Sequence, residues 1–398
     1  MAETGALRQA KLWNGARRAG RCFALASAML LAACQTMVPR GKGPEATGPA
    51  QPAPVQLGLP SDSERHRVAL LVPLSGPNSG VGQSIANATT LALMDTKATT
   101  VRITSYDTGK GIASAVANAI ADGNRLILGP LTADEANAAA ASARKAGVPI
   151  ISFSNDTGVA GNGVFIMGYT PAQSVERVVG YARAKGVSKF AALVPGGAYG
   201  ERTGNALLSA VRTSGGTVVA MQNYDRSPGS LTAAIKKLGA ASGYEAVLIA
   251  DGGRVALQAA PLLRKSGATT ARILGTELWN TENALAANPA LRGAWFASVS
   301  DAYYRQLATK YRARFNAAPY RLAAMGYDAV LLTVRIAQDW RPGSAFPLSR
   351  LTDKGGFAGI DGAFRFGADG VAQRALEVQQ VDAAGFTVVD AAPKGFGE

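Results

Sequence analysis

Apolar and polar positions along this chain fall into blocks whose period changes from continuous to helical and back. Val68–Val72 is an unbroken apolar run, too short for a membrane span and suited to a strand buried on both faces. Pro73 and the run Ser75-Gly76-Pro77-Asn78-Ser79-Gly80 break it with turn chemistry, and Ile85, Ala88, Thr89, Ala92 and Leu93 then recur at helical spacing. The unit repeats. Strands are predicted at 101–106, 126–128, 148–152 and 164–167, with helices running to Ala121 and Gly147. Thr132 and Glu135 have capping-box spacing, and Thr170, Pro171 and Gln173 mark another helix start. A second series opens with strand Phe190–Val194, loop 195–200 and a helix to Thr213. Strands at 218–222, 246–250, 272–274 and 294–299 come next, with helices at 231–238 and 255–265 between them. Helices are predicted at 303–315 and 322–338, and beyond residue 362 the pattern turns to short antiparallel strands with Gly/Asp turns. This predicts an α/β fold of two doubly wound lobes, with a small β appendage closing the second. In such sheets ligands settle at the carboxyl ends of the strands.

Composition narrows the chemistry. Apolar residues make up 47% of the 398 residues and charged residues 17%, so a substantial core is expected in one large or two medium domains. The chain holds one His, His66, and two Cys, Cys22 and Cys34. The folded body therefore has no Ser-His-Asp or Cys-His device and no zinc site of N/S ligands. Neither GxGxxG, GxxxxGK[ST] nor G-x-S-x-G stands at a strand–helix turn, so no cofactor, no metal and no catalytic residue are expected. The net charge of +14 points to anionic surroundings. Nucleic acid is not expected, because no basic stripe with interleaved aromatics occurs.

The first 66 residues read as an address and a tether. Arg8, Lys11, Arg17, Arg18 and Arg21 precede the apolar stretch Cys22–Ala33, a length that fits a signal peptide over residues 1–33. Leu31-Ala32-Ala33-Cys34 resembles the bacterial lipobox, which implies acylation of Cys34 and attachment to a membrane through the lipid. Gln35 after it, by resemblance to sorted lipoproteins, implies the periplasmic face of the outer membrane. Residues 34–66, rich in Pro and Gly, read as a flexible tether.

The stretches LLVPLSGPNSGVGQ, SYDTGKG, LILGPLTADEA, AGVPIISFSND, VPGGAYGER, LLRKSGATTARILGTE and GAFRFGADG together resemble type 1 periplasmic binding proteins of the leucine-binding group. The resemblance covers 67–390. It implies two lobes of type 1 periplasmic-binding-protein architecture joined by a three-crossing hinge. The lobes are expected at 67–168 plus 300–340 and at 169–299 plus 341–392, with crossings near Gly168-Tyr169, Ala294–Val299 and Arg341–Ala345. Within the family, residues 129–156 look most like outer-membrane lipoprotein activators of penicillin-binding proteins. Where those carry a helical-repeat domain, this chain has only its Pro/Gly tether.

The resemblance also implies a ligand cleft at Ser75, Gly76, Thr132, Ser152, Ser154, Asn155, Tyr199 and Glu277. Tyr199 matches a second-lobe aromatic, and Glu277 matches the acid that receives an α-ammonium in amino-acid receptors. The carboxylate side looks impaired, since Ala133 stands where a hydroxyl is expected and Asp156 adds an acid that would repel an anion. The sequence therefore favours a non-catalytic regulator that contacts a class A penicillin-binding protein. The alternative is a receptor for a small amino-acid-like ligand, working with the permease of an ABC-type uptake system.

Overall fold

A computed structural model describes residues 64–396 apart from 242 and 268. The signal peptide, Cys34 and all but the last residues of the tether lie outside the described residues.

Lobe 1 is built on a parallel sheet of strands β1 (His66–Val72), β2 (Val101–Asp107), β3 (Leu126–Leu128), β4 (Ile150–Ser152) and β5 (Val164–Ile166), in the order β2-β1-β3-β4-β5. Its helices are α1 (Ser79–Thr96), α2 (Ile112–Ala121) and α3 (Ala133–Lys145). The apolar run of β1 is divided by the strand's two-residue period. Val68, Leu70 and Val72 pack toward Ile85 of α1, while Ala69 and Leu71 pack toward Ala115 and Ala119 of α2 and Ala139 of α3. Both faces are covered, which is why no polar residue interrupts the run. The expected capping box at α3 is present: Thr132 accepts from the Glu135 backbone, and the Glu135 carboxylate accepts from the Thr132 backbone.

Lobe 2 starts with α4 (Pro171–Ala184), which buries Val175, Val178, Val179 and Ala182 as its spacing predicted. It continues through β6 (Lys189–Pro195), α5 (Ala198–Thr213), β7 (Thr217–Tyr224), α6 (Pro228–Ala240), β8 (Ala246–Ile249), α7 (Gly253–Lys265), β9 (Arg272–Gly275) and β10 (Trp295–Ser298). The β6 run splits like β1: Ala191 and Leu193 face one cluster, Phe190, Ala192 and Val194 the other. Helices α8 (Ala302–Phe315) and α9 (Ala323–Ala337) return to lobe 1, where Met325, Ala329 and Leu332 join the cluster around β1.

The tail departs from expectation. Residues 341–374, assigned to lobe 2 by the sequence, pack in lobe 1. Strands β11 (Phe357–Gly359), β12 (Gly362–Phe366) and β13 (Ala372–Arg374) form their own antiparallel sheet. Its inward residues Phe357, Phe364, Phe366 and Ala372 bury themselves against the α9 side of the lobe 1 core. Each buried aromatic is worth roughly 2–3 kcal/mol, so three of them decide where the sheet sits. Only β14 (Glu377–Asp382) and β15 (Gly385–Asp390) reach lobe 2, adding antiparallel strands to an otherwise parallel seven-stranded sheet, β15-β14-β10-β9-β8-β6-β7. The chain thus passes between lobes at 167–170, at 299–301 and at 375–376. The third crossing lies some thirty residues beyond the expected Arg341–Ala345.

The box expected at Thr170 and Gln173 does not form. Thr170 makes no side-chain cap, because Gln173 turns to lobe 1, donating to the Ala372 carbonyl at 2.7 Å and accepting from the Arg374 N–H at 2.8 Å. A tertiary bond across the crossing has displaced a local one.

Candidate ligand-binding cleft

A cavity of about 410 Å3 opens where the lobes meet, within the range of about 300–1,000 Å3 typical of small-molecule sites. Lobe 1 lines it with Leu131, Phe153, Asn155, Leu322 and Met325, lobe 2 with Gln173, Ser174, Glu277, Leu278, Asn280 and Thr281. Tyr169, Thr170, Val299 and Leu376 enter from the crossings, beside Arg321 and Arg374.

Glu277 owes its position to the tight turn after β9. Gly275 ends the strand directly beneath the Trp279 ring, where a Cβ would overlap the indole. Trp279 is fully buried and donates its Nε1–H to the Asp251 carbonyl at 3.0 Å, which pins the 3-10 turn Glu277–Trp279. Tyr199, in the first turn of α5, places its Oη 3.1 Å from Glu277 Oε1 and 3.1 Å from Thr276 Oγ1. Its single hydrogen serves the carboxylate while the Thr276 hydroxyl donates back. Glu277 Oε2 is shut off from solvent and has no hydrogen-bond partner. Burial pushes the carboxyl up to about 7, against the lowering effect of hydrogen bonds from backbone and Tyr199. Near neutral pH the group is poised between donating a proton and receiving a cation.

The other polar group of the cavity sits at the crossings. Arg321 donates from Nη1 to Asp361 Oδ1 at 2.6 Å. Its Nη2 lies 3.2 Å from Asp301 Oδ1 without hydrogen-bond geometry, and Nε is also unpartnered. The Arg374 side chain is 2% exposed. It donates from Nη2 to the Met167 carbonyl at 2.7 Å and lies 5.0 Å over the Tyr169 ring. Its Nη1 is 4.0 Å from Asp328 Oδ2, and neither that atom nor Nε makes a hydrogen bond. Tyr169 Oη donates to Asp361 Oδ2. Asp328 is fully buried, and burial first, then the charge of Asp361, push its carboxyl up. Asp361 has both Tyr169 and Arg321 donating to it, whereas Asp328 accepts from the Ile360 N–H at 2.6 Å and, among the described residues, has no cation within hydrogen-bond reach.

Of the residues expected in the cleft, Asn155 and Glu277 line the cavity, and Tyr199 touches it only through Glu277. The others are engaged locally. Thr132 caps α3, Ser152 donates to the Pro130 carbonyl at 2.9 Å, and Ser154 Oγ accepts from the Asp156 N–H at 3.0 Å. Ser75 and Gly76 belong to a loop held by Asp107, whose Oδ1 accepts from the Leu74 and Ser75 N–H groups at 2.7 and 3.1 Å. Asp156 is turned away, pairing with Arg202 of α5 at 2.5 Å, so it does not line the cavity. The arginines were missed. Arg374 did leave a trace, a charge on the same face of a short strand as Ala372, whereas Arg321 in an interhelical loop left none.

A family model described as periplasmic binding protein matches residues 66–386. The chain belongs to the periplasmic binding protein family. This is a family of exported solute-binding proteins, generally non-catalytic, and the two-lobed architecture here is that of its type 1 members. The binding protein is 23% identical over 173 residues to RP748, an uncharacterized protein of Rickettsia prowazekii; the match spans 43% of this chain and 46% of that protein, about half its length. In structure it is similar to a Rhodospirillum rubrum protein provisionally described as a branched-chain amino acid ABC transporter, with TM-score 0.74 and 20% identity over 82% of this chain and 100% of that one. It is also similar to an ABC transporter substrate-binding protein of Desulfitobacterium hafniense solved with Leu, with TM-score 0.63 and 19% identity, covering 82% of this chain and 100% of that one. At these identities the likeness is one of fold.

Proposed function

We propose that this binding protein is the receptor of an ABC-type uptake system, closing its lobes on a small amino-acid-like molecule and presenting it to a permease. One observation carries the reading: three charged side chains that line the cavity between the lobes, those of Glu277, Arg321 and Arg374, each keep a buried polar atom without a protein partner, Oε2 in the first and Nε in the other two. Burying such groups unpaired costs roughly 1–3 kcal/mol each, so a cavity that retains them is built to have them completed by a ligand. The structural relatives described as ABC transporter components support the same choice. The regulator of a penicillin-binding protein, favoured by the sequence alone, rests on the likeness of residues 129–156 and gains nothing from the cleft. The impaired clamp that argued for it has another answer, since Asp156 is turned aside and two arginines enter the cavity. Acylation of Cys34 belongs to the proposal as the means of holding the receptor at a membrane, and palmitate labelling of the natural chain against Cys34→Ala tests it.

Titration calorimetry with aliphatic and aromatic amino acids, their amides and their 2-oxo acids tests the receptor. Saturable one-site heats from at least one class are expected. Silence across all of them, together with capture of a class A penicillin-binding protein, would return the regulator to first place.

A further inference from the structure

We infer that Arg374, with Arg321 beside it, is the anion-recognising group of this cleft and grips a carboxylate of the ligand. The inference rests on the receptor reading and names a specificity-determining residue for it. Arg374 is a buried guanidinium whose charge the protein leaves incompletely matched. Among the described residues the acid paired with it, Asp328, stops 4.0 Å away, outside hydrogen-bond reach, and Nε and Nη1 of the guanidinium have no hydrogen-bond partner. Asp361 is already engaged by Tyr169 and by Arg321. A cation left in that state is destabilising unless something completes it, and a guanidinium is best completed by the planar fork of a carboxylate.

The rest of the cavity agrees with that occupant. Leu131, Phe153, Leu322 and Met325 form an apolar wall, so a ligand with an aliphatic or aromatic body is favoured and its charge must be met elsewhere. The ends of the lobe 1 strands bring Asn155, a neutral amide, but no cation, and the Thr132 hydroxyl is bound to Glu135 while Ala133 has none. Arg374 also lies 5.0 Å from the Tyr169 ring centroid and 5.2 Å from that of Phe364, so aromatic faces rather than water surround its guanidinium. A site built to bond a ligand group rejects the analogue lacking it by far more than a missing methylene would cost, because its own buried donors are left bare.

The experiment compares matched acids and amides on the full, unaltered chain: L-leucine with leucinamide, L-phenylalanine with phenylalaninamide, and the corresponding 2-oxo acids, each by calorimetry at pH 7. The acids of the preferred pair are expected to bind at least tenfold more tightly than the amide. Arg374→Gln should reduce that ratio to within threefold, and Arg374→Lys should recover part of it. Since Arg374→Gln can also weaken folding, the acid-to-amide ratio of the unaltered protein stands as the primary readout. If an amide binds as tightly as its acid, the inference falls and the receptor survives. If no acid and no amide binds, both fall.

Discussion

In lobe 1 the buried strand β1 runs into Pro73, and Gly82 of the next helix presses against the Pro73 carbonyl; in lobe 2 strand β6 runs into Pro195, and Gly200 presses against the Pro195 carbonyl. A Cβ at either glycine would overlap that oxygen. The two lobes open on the same device, a helix drawn down onto the end of its strand. Their loops then part ways. The lobe 1 loop is tied back by Asp107, which accepts from the backbone of Leu74, Ser75 and Gly109, and it contributes nothing to the cavity. The lobe 2 loop is tied by a single backbone bond, Gly196 to Tyr224, and its helix sends Tyr199 to Glu277. Shared geometry thus marks where a site can stand, and the side chains around each loop decide whether one does.

The heaviest test of that parity replaces both glycines. Gly82→Ala and Gly200→Ala should each cost about 3 kcal/mol or more, since a backbone oxygen and a whole helix must shift. Urea unfolding of the two variants measures it, and a lobe that tolerates its alanine within about 1 kcal/mol would break the equivalence.

The next test concerns Glu277 alone. Its folded carboxyl, pushed up to about 7, binds a proton more tightly than the unfolded one at 4.5. Its contribution is therefore most favourable below pH 4.5, declines as pH rises to about 7 and is constant above. At about 1.4 kcal/mol per unit the decline amounts to about 3 kcal/mol. Glu277→Gln keeps the bond from Tyr199 but has nothing to ionise, so at pH 8 it should be the more stable protein by about that amount, with no difference in slope above pH 7. Equal urea midpoints for the two proteins at pH 5 and pH 8 would remove the buried carboxyl from the account.

Tyr199→Phe should cost about 1 kcal/mol, the worth of one buried hydrogen bond, and should carry the Glu277 titration to higher pH. An unchanged pH profile would mean that the tyrosine packs without acting on the acid. Smallest is the ion pair across the cleft, Arg202 with Asp156. Both side chains are partly exposed, at 37% and 23%, so Arg202→Gln should change stability by less than about 1 kcal/mol. Small-angle scattering of the ligand-free variant should show a larger radius of gyration if that pair helps hold the lobes together, and identical curves would show that it does not.

The strands and helices were legible because each writes its own local signal: the β1 and β6 runs, the spacing of Val175, Val178, Val179 and Ala182, the box at Thr132. Of the residues lining the cavity, the sequence reached Asn155 and Glu277, where a loop resembled a known one. Arg374 could not be placed because its partner Met167 lies 207 residues away, and the reach of Gln173 to β13 spans a similar distance. The tail was misassigned for the same reason. Short antiparallel strands announce themselves, but nothing local tells Phe364 and Phe366 which of two apolar cores they will enter.

Arg374 stands immediately before the last place where the chain changes lobes, and Leu376, just after it, also walls the cavity. The residue that would hold the solute is thus mounted where the chain changes lobes, and if the receptor closes as proposed, that place is its axle. Any swing of one half against the other must twist the backbone next to that grip, and any pull on the grip is felt at the pivot first. On the receptor proposal, capture and closure would then be one mechanical event, with no lever needed to relay the signal between them.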